Sequence, residues 1–161
     1  MIYICLILSA ALIIIVGELI RRYCKKYNSA ISFRDALDLT GLPVITFHQG
    51  KERFNFLLDT GATNSVINEQ FLPNIKHDII DGVTCEVYGI EGNVQVAKFA
   101  SIEFTRDNLY VGNFQIVDMS AAFDAVKAET GVSIVGILGN DFFQKYKYVL
   151  DYNTMIAYPK I

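Results

Sequence analysis

The chain has 161 residues, of which 52% are hydrophobic and 19% are charged, and its formal net charge at pH 7 is −3. This length suits one globular domain with a small addition. The acidic balance and the lack of a clustered basic surface exclude nucleic acid as a partner. Its three cysteines and two histidines are too few and too scattered for a closely held zinc site, so no metal or cofactor is predicted.

The N-terminal segment differs in composition from the rest of the chain. Residues Ile2–Val16 contain no charged side chain, and four Lys and Arg residues follow between positions 21 and 26. A helix that crosses a bilayer needs about 20 mostly apolar residues. The pattern therefore predicts a transmembrane anchor over 1–22 and a connector over 23–41. The basic flank predicts a single-pass membrane protein whose globular domain faces the cytoplasm.

A cleaved signal peptide and a buried helix are the alternatives for this segment. A signal peptide carries positive charge before its apolar run, whereas here no Lys or Arg precedes the run. The cysteines at positions 5, 24 and 85 give no disulfide framework, which fits a reducing compartment. The anchor remains the preferred interpretation.

The chain beyond the anchor predicts short strands separated by turns. A capping-box-like pattern at Ser32–Asp35 predicts a short helix that ends near Leu39, which either packs on the domain or spaces it from the membrane. Strands follow at Val44–Phe47 and Arg53–Leu58, and the second has apolar residues at alternate positions.

The later part of the chain continues this pattern. Val83–Phe99 predicts a long hairpin with a glycine-bearing tip. The other predicted elements are a strand pair at Ser101–Phe104 and Leu109–Met119, a helix at Ala121–Glu129, a strand at Ser133–Leu138, a short helix at Asp141–Tyr146 and a hairpin at Tyr148–Tyr158. Strands at short, regular spacing predict an all-β barrel or sandwich over residues 42–161.

The most informative segment is Phe56–Ile67, in which an apolar strand leads into Asp59, Thr60 and Gly61. A carboxylate at a strand end is well placed for chemistry, and a glycine lets the backbone approach a neighbour closely. The alternative is a local turn in which the carboxylate caps nearby amides. The chain has only one such segment, so a mechanism with two carboxylates needs two chains.

A second segment, Ile137–Gly139, precedes a short amphipathic helix and can form a floor beneath the first loop. Together the two segments resemble the retropepsin-like aspartic peptidases, through Leu57–Thr63 and Ile137–Gly139. The closing run Tyr146–Tyr152 is similar to the bacterial and cellular members. The resemblance covers Leu42–Pro159 and implies an all-β, closed retropepsin-like barrel with one or two short helices.

The resemblance also implies a function. It implies an aspartic endopeptidase that hydrolyses a peptide or protein substrate, in which Asp59 from each subunit of a homodimer activates water. The implied site comprises the catalytic Asp59, the active-site loop Thr60, Gly61 and Ala62, the flap Tyr88, Gly89, Ile90, Glu91, Gly92 and Asn93, and the supporting loop Ile137, Leu138 and Gly139. Thr60 would bond across the interface. A catalytically inactive peptide-binding or scaffold module and a purely structural dimer are the alternatives.

Other polar side chains have structural interpretations. Asp141 is predicted to cap or charge the short helix, and Asp151 to belong to a turn or a subunit interface. His48 and His77 fall in a turn and a loop. Cys85 is predicted to be a buried thiol, since no histidine partner is evident.

Overall fold

The computed structural model describes residues 31–88 and 94–160, and for 86–88 and 94–96 it describes the backbone alone. The predicted anchor, residues 23–30 of the predicted connector and the flap residues 89–93 lie outside the described residues. Among the residues that are described, no helix has the length and apolar character needed to cross a membrane. The anchor therefore stays a prediction.

The architecture is a β-barrel with one strand extending from it. The strands are β1 (Val44–Gln49), β2 (Glu52–Leu58), β3 (Val66–Asn68), β4 (His77–Tyr88), β5 (Val94–Thr105), β6 (Leu109–Val117), β7 (Gly136–Leu138), β8 (Tyr148–Asp151) and β9 (Ile156–Pro159). The large sheet has the order β1-β2-β7-β3-β6-β5-β4, and β1 also pairs with β5. This second pairing closes the barrel and leaves β4 on its outer edge. The predicted all-β closed barrel is confirmed.

Short helices pack around the barrel. They are α1 (Phe33–Thr40), α2 (Ser120–Thr130) and α3 (Asn140–Tyr146), with a 3₁₀ helix over Glu69–Asn74. The hydroxyl of Ser32 accepts the backbone N–H of Asp35 at 3.1 Å, and Gly41 ends α1 in the left-handed region at φ 67°. Phe33 and Ala36 are buried, so the predicted connector helix packs on the domain.

Several strand boundaries differ from the sequence prediction; β4, for example, begins at His77 rather than Val83, and the sequence does not predict β3. The predicted break between residues 99 and 101 is absent, because β5 is one continuous strand paired with β4 on one side and β6 on the other. The predicted strand from Ser133 begins only at Gly136. The backbone of Val135 instead bridges two elements, since its N–H donates to Asn55 O and its C=O accepts from Asn68 N, both at 2.9 Å.

Aromatic side chains fill the barrel. The rings of Phe56 and Phe104 meet edge to face with centroids 4.8 Å apart, and Phe47 makes similar contacts with Phe56 and Tyr110. Such pairs are favourable beyond the area that they bury. A second apolar cluster lies on the outer face of the sheet beneath α1 and α2, and it includes Ala62 of the loop after β2. This outer cluster therefore packs against that loop through Ala62.

Tyr148 predicts how the fold responds to alkaline pH. Burial raises the pKa of Tyr148 from its ordinary value of 10 to about 12. Because the unfolded chain ionises first, this tyrosine contributes stability that is complete below pH 10 and is lost as the pH rises toward 12, by about 2 kcal/mol. We expect Tyr148→Phe to flatten the fall in unfolding free energy over this range, measured by chemical denaturation. If the unfolding free energy of Tyr148→Phe fell with pH as steeply as that of the unmodified chain, the assignment of this loss to Tyr148 would be wrong.

Candidate active site

Parallel pairing of β2 with β7 places two chain segments at one edge of the barrel. Leu58 lies opposite Leu138 in this ladder, so Asp59 and Gly139 follow at the same end. The backbone N–H of Asp59 donates to Leu138 O at 3.0 Å. The inward side chains of β2 are buried, whereas Asp59 is half-buried at the strand end. The fold therefore holds this carboxylate at the rim of the barrel.

The loop after β2 holds the Asp59 carboxylate in a tight turn. The N–H of Gly61 donates to Asp59 Oδ1 at 2.8 Å, and the N–H of Ala62 donates to Asp59 O at 3.2 Å. A Cβ on residue 61 would stand 3.1 Å from Asp59 Oδ1, a close approach that favours glycine. The turn that was considered as an alternative to catalysis is thus present, and it orients the carboxylate.

The start of α3 forms the floor of this loop. The backbone N–H of Asn140 donates to Ala62 O and its side-chain Nδ2 donates to Thr60 O, both at 2.8 Å. The N–H of Asp141 donates to Thr63 O at 3.2 Å. These bonds tie carbonyls on both sides of Gly61 to one helix. The structure therefore brings the predicted supporting loop, which ends at Gly139, against the predicted active-site loop.

The buried hydroxyl of Ser65 adds a second connection between the loop after β2 and the start of α3. Ser65 is 1% exposed, and its hydroxyl donates to Asp141 Oδ1 at 2.7 Å and accepts the N–H of Gly139 at 3.1 Å. Asp141 Oδ1 also accepts the N–H of Phe142 at 2.8 Å. Asp141 does not cap α3, whose N-cap is Gly139 without a side-chain cap bond; it is the acidic residue of the first turn, the other role predicted for it, and in addition it fixes the loop. We name Ser65, Asn140 and Asp141 the loop clamp.

Sequence reasoning missed two members of the loop clamp, Ser65 and Asn140. Their partners are distant in sequence, since Ser65 and Asp141 are 76 residues apart. The only available signal is the pair of polar residues Asn140 and Asp141 directly after Gly139, where a helix begins.

Comparison with models of known protein families assigns the chain to one of them. A family model described as Aspartyl protease matches residues 44–142. The chain belongs to this aspartyl protease family. A comparison with curated proteins finds no match. The matched range contains both the loop after β2 and the start of α3, so the retropepsin-like resemblance of the domain is supported over the same residues that form the site.

The predicted flap lies on the longest hairpin of this protease domain. β4 and β5 pair from His77 opposite Ile102 to Tyr88 opposite Val94, with a bulge between Ile80 and Thr84. Tyr88 ends β4, and the tip residues Gly89, Ile90, Glu91, Gly92 and Asn93 lie outside the described residues. The hairpin is therefore present, and the flap role stays a prediction.

Cys85 and the two histidines are not part of the loop. Cys85 is half-buried rather than buried as predicted, and its Sγ accepts a hydrogen bond from Nε2 of Gln115 at 3.0 Å. His77 Nδ1 lies 2.7 Å from Ile75 O, and His48 lies opposite Arg53 at the far end of the β1–β2 hairpin. Over the described ranges 31–88 and 94–160, no three His, Cys, Asp or Glu side chains are grouped to hold a metal ion.

A shallow depression adjoins Asp59 on the side of the C-terminal hairpin. It is lined by Pro43, Leu58, Asp59, Thr60, Phe143, Tyr148, Leu150 and Tyr152. Thr60 is exposed, and its hydroxyl has no hydrogen-bond partner in the part of the chain that the structure describes. On the adjoining hairpin, Tyr152 is 54%, Ile156 48% and Tyr158 39% exposed. An apolar surface of this kind is typical of a protein interface.

Ser65→Ala tests the loop clamp. The substitution removes one donor to Asp141 and leaves the N–H of Gly139 without its acceptor. Because these groups are buried or half-buried, we expect the unfolding free energy to fall by about 1–3 kcal/mol. Chemical denaturation measures this loss. Ser101→Ala is the matched control, because the hydroxyl of half-buried Ser101 has no partner among the residues described. Equal losses in the two variants would argue against the clamp.

Proposed function

We propose that this protein is an aspartic endopeptidase that works as a homodimer, with one Asp59 contributed by each subunit. The observation that carries the proposal is the way the hydrogen bonds of its loop hold Asp59 in position. Its loop is tied to β7 and α3 by a chain of hydrogen bonds, and the sequence contains a single Asp-Thr-Gly segment. Preorganised geometry of this kind is what acid–base catalysis requires.

The chemistry follows from two carboxylates at close range. Like charges that approach closely cannot both ionise easily, so the pair of Asp59 side chains holds one proton. The ionised member accepts a proton from a bound water, and the protonated member donates to the carbonyl oxygen of the substrate peptide bond. The tetrahedral intermediate then collapses as a proton passes to the leaving amine. No thiol and no covalent intermediate take part.

The surface around the depression supports a second copy as the partner. Thr60 sits beside Asp59, and its exposed hydroxyl has no hydrogen-bond partner among the described residues, which fits a bond across a two-fold axis. The exposed Tyr152, Ile156 and Tyr158 lie on the β8–β9 hairpin, and Tyr152 also lines the depression. In an isologous dimer the same apolar patch would be buried on both subunits. The partner would thereby complete the site.

The remaining parts of the proposal concern substrate and location. The β4–β5 hairpin would close over an extended peptide and exclude water from the bond being cut. The apolar N-terminal segment would anchor the chain in a membrane, with the domain on the cytoplasmic side. Confinement to a membrane raises the effective concentration of subunits, so the tether would favour the active dimer.

A peptide library tests the proposal. The full chain is incubated with the library at acidic and neutral pH, and cut bonds are identified by mass spectrometry. We expect cleavage within chains rather than at their ends, with an activity per molecule that falls on dilution as dimers dissociate. Saturable peptide binding without cleavage across the pH range would instead establish the inactive binding module. Cleavage that is constant per molecule at all dilutions would exclude control by dimerisation.

A further inference from the structure

The aromatic core of the barrel is incompletely filled. A cavity of about 170 Å³ lies within it and opens between β6 and α3. Seven aromatic side chains line it, namely Phe47, Phe56, Phe104, Tyr110, Phe114, Phe142 and Tyr146. We name this space the barrel cavity. Apolar cavities of about 150 Å³ stay free of water and take up single aromatic rings, so the barrel cavity has the size and lining for one ring.

A glycine contributes to this opening. Gly112 lies on β6 between Tyr110 and Phe114, opposite the buried Ile102, and it provides no side chain to the wall. A Cβ at this position would stand 2.8 Å from Cε2 of Phe114, so the ring of Phe114 lies over the glycine. The glycine therefore makes room for the ring of Phe114, and both residues line the cavity.

The mouth of the barrel cavity carries hydrogen-bond donors and a positive charge. Lys145 Nζ donates to Val111 O at 2.7 Å, and an ammonium has two further N–H groups. On the same edge of β6, the N–H of Gln115 donates to Ser65 O and that of Val111 to the Tyr146 hydroxyl. Strand alternation places the N–H of Asn113 on this edge too, where no described residue accepts it.

Another part of the cavity lining is acidic. Ser65 and Asp141 of the loop clamp line the cavity, and Asp141 Oδ1 already accepts the Ser65 hydroxyl and the N–H of Phe142. A ligand carboxylate would be repelled beside Asp141 and attracted beside the exposed Lys145. The charges therefore favour a ligand whose anionic group faces Lys145 and whose apolar body lies among the rings.

We propose that the barrel cavity binds a small aromatic carboxylate about the size of benzoate. The ring would lie among the aromatic side chains that line the cavity, and the carboxylate would accept hydrogen bonds from Lys145 Nζ and the N–H of Asn113. The site is separate from the Asp59 carboxylate and needs no proteolytic activity. It stands whether or not the chain cleaves peptides.

Titration of the full chain with sodium benzoate tests the site. We expect saturable binding in the millimolar range by ligand-detected NMR, together with a rise in the unfolding temperature. Acetate, which has the carboxylate without the ring, should not bind. Lys145→Met should weaken benzoate binding about tenfold or more and leave toluene binding unchanged. Lys127→Met, at an exposed position on α2, is the matched control and should have no effect.

A substitution that fills the space completes the test. Phe114→Trp adds volume to the wall and should abolish binding of both benzoate and toluene. Should that variant fail to fold, contacts between benzoate protons and the rings of Tyr110 and Phe114 in the unmodified chain decide the question. The proposal would be overturned if benzoate did not bind saturably. It would also be overturned if neither Lys145→Met nor Phe114→Trp changed the binding of benzoate. If Phe114→Trp abolishes benzoate binding but Lys145→Met does not weaken it, the proposed contact between the carboxylate and Lys145 is wrong.

Discussion

Asp59→Asn is expected to abolish peptide cleavage and to suppress the activity of unmodified chains mixed with it. The substitution keeps the size of the side chain and removes the charge, so the pair can no longer activate water. We expect the pure variant to lose at least about 100-fold in turnover, the lower bound for losing acid–base catalysis. Cleavage of a peptide identified from the library measures this loss.

The mixing experiment separates a dimeric site from a monomeric one. If both carboxylates are required and subunits exchange freely, an equal amount of Asp59→Asn chain should lower the activity of a fixed amount of unmodified chain to about half, and larger excesses should lower it further. Asp124→Asn, at an exposed position on α2, should neither lose activity nor inhibit. Full turnover by Asp59→Asn would show that Asp59 is not catalytic. Unchanged activity in the mixture would show that the two subunits do not share one active site.

The sequence predicts those parts of the fold that depend on local pattern. Phe54, Phe56 and Leu58 alternate along β2 because one face of this strand is buried, and Asp59 follows where the pattern ends. Ser32 and Gly41 mark the ends of α1, since one caps the first turn through its hydroxyl and the other adopts a left-handed conformation. For these elements local chemistry and tertiary packing agree.

Features that depend on distant partners could not be predicted in the same way. Closure of the barrel depends on a contact between His48 and Thr105, which no periodicity encodes. β5 crosses Ala100 and Ser101, where the small residues suggest a break, but ladders on both sides keep it continuous. The loop clamp is a further example, because Ser65 is an ordinary turn residue until the barrel brings it to Asp141.

Gly139 illustrates how close packing, rather than backbone conformation, can require a glycine at one position. Its φ of −94° and ψ of −169° are accessible to any residue. A Cβ, however, would lie 2.7 Å from both C and O of Asn64 and 2.9 Å from Ala62 O. All three are backbone atoms, so no side-chain rotation can relieve the overlap. The loop that carries Asp59 would have to move away from α3.

Gly139→Ala is therefore expected to destabilise the domain by about 3 kcal/mol and to lower peptide cleavage sharply, because displacement of the loop weakens its bonds to Asn140. Gly50→Ala is the control. Gly50 has φ 63° but no atom within 4 Å of the added Cβ, so only the backbone conformation costs energy, about 1 kcal/mol, and cleavage should be retained. Chemical denaturation and peptide turnover measure both effects. If Gly139→Ala were no more damaging than Gly50→Ala, the contact between the supporting loop and the active-site loop would not be what holds Asp59 in place.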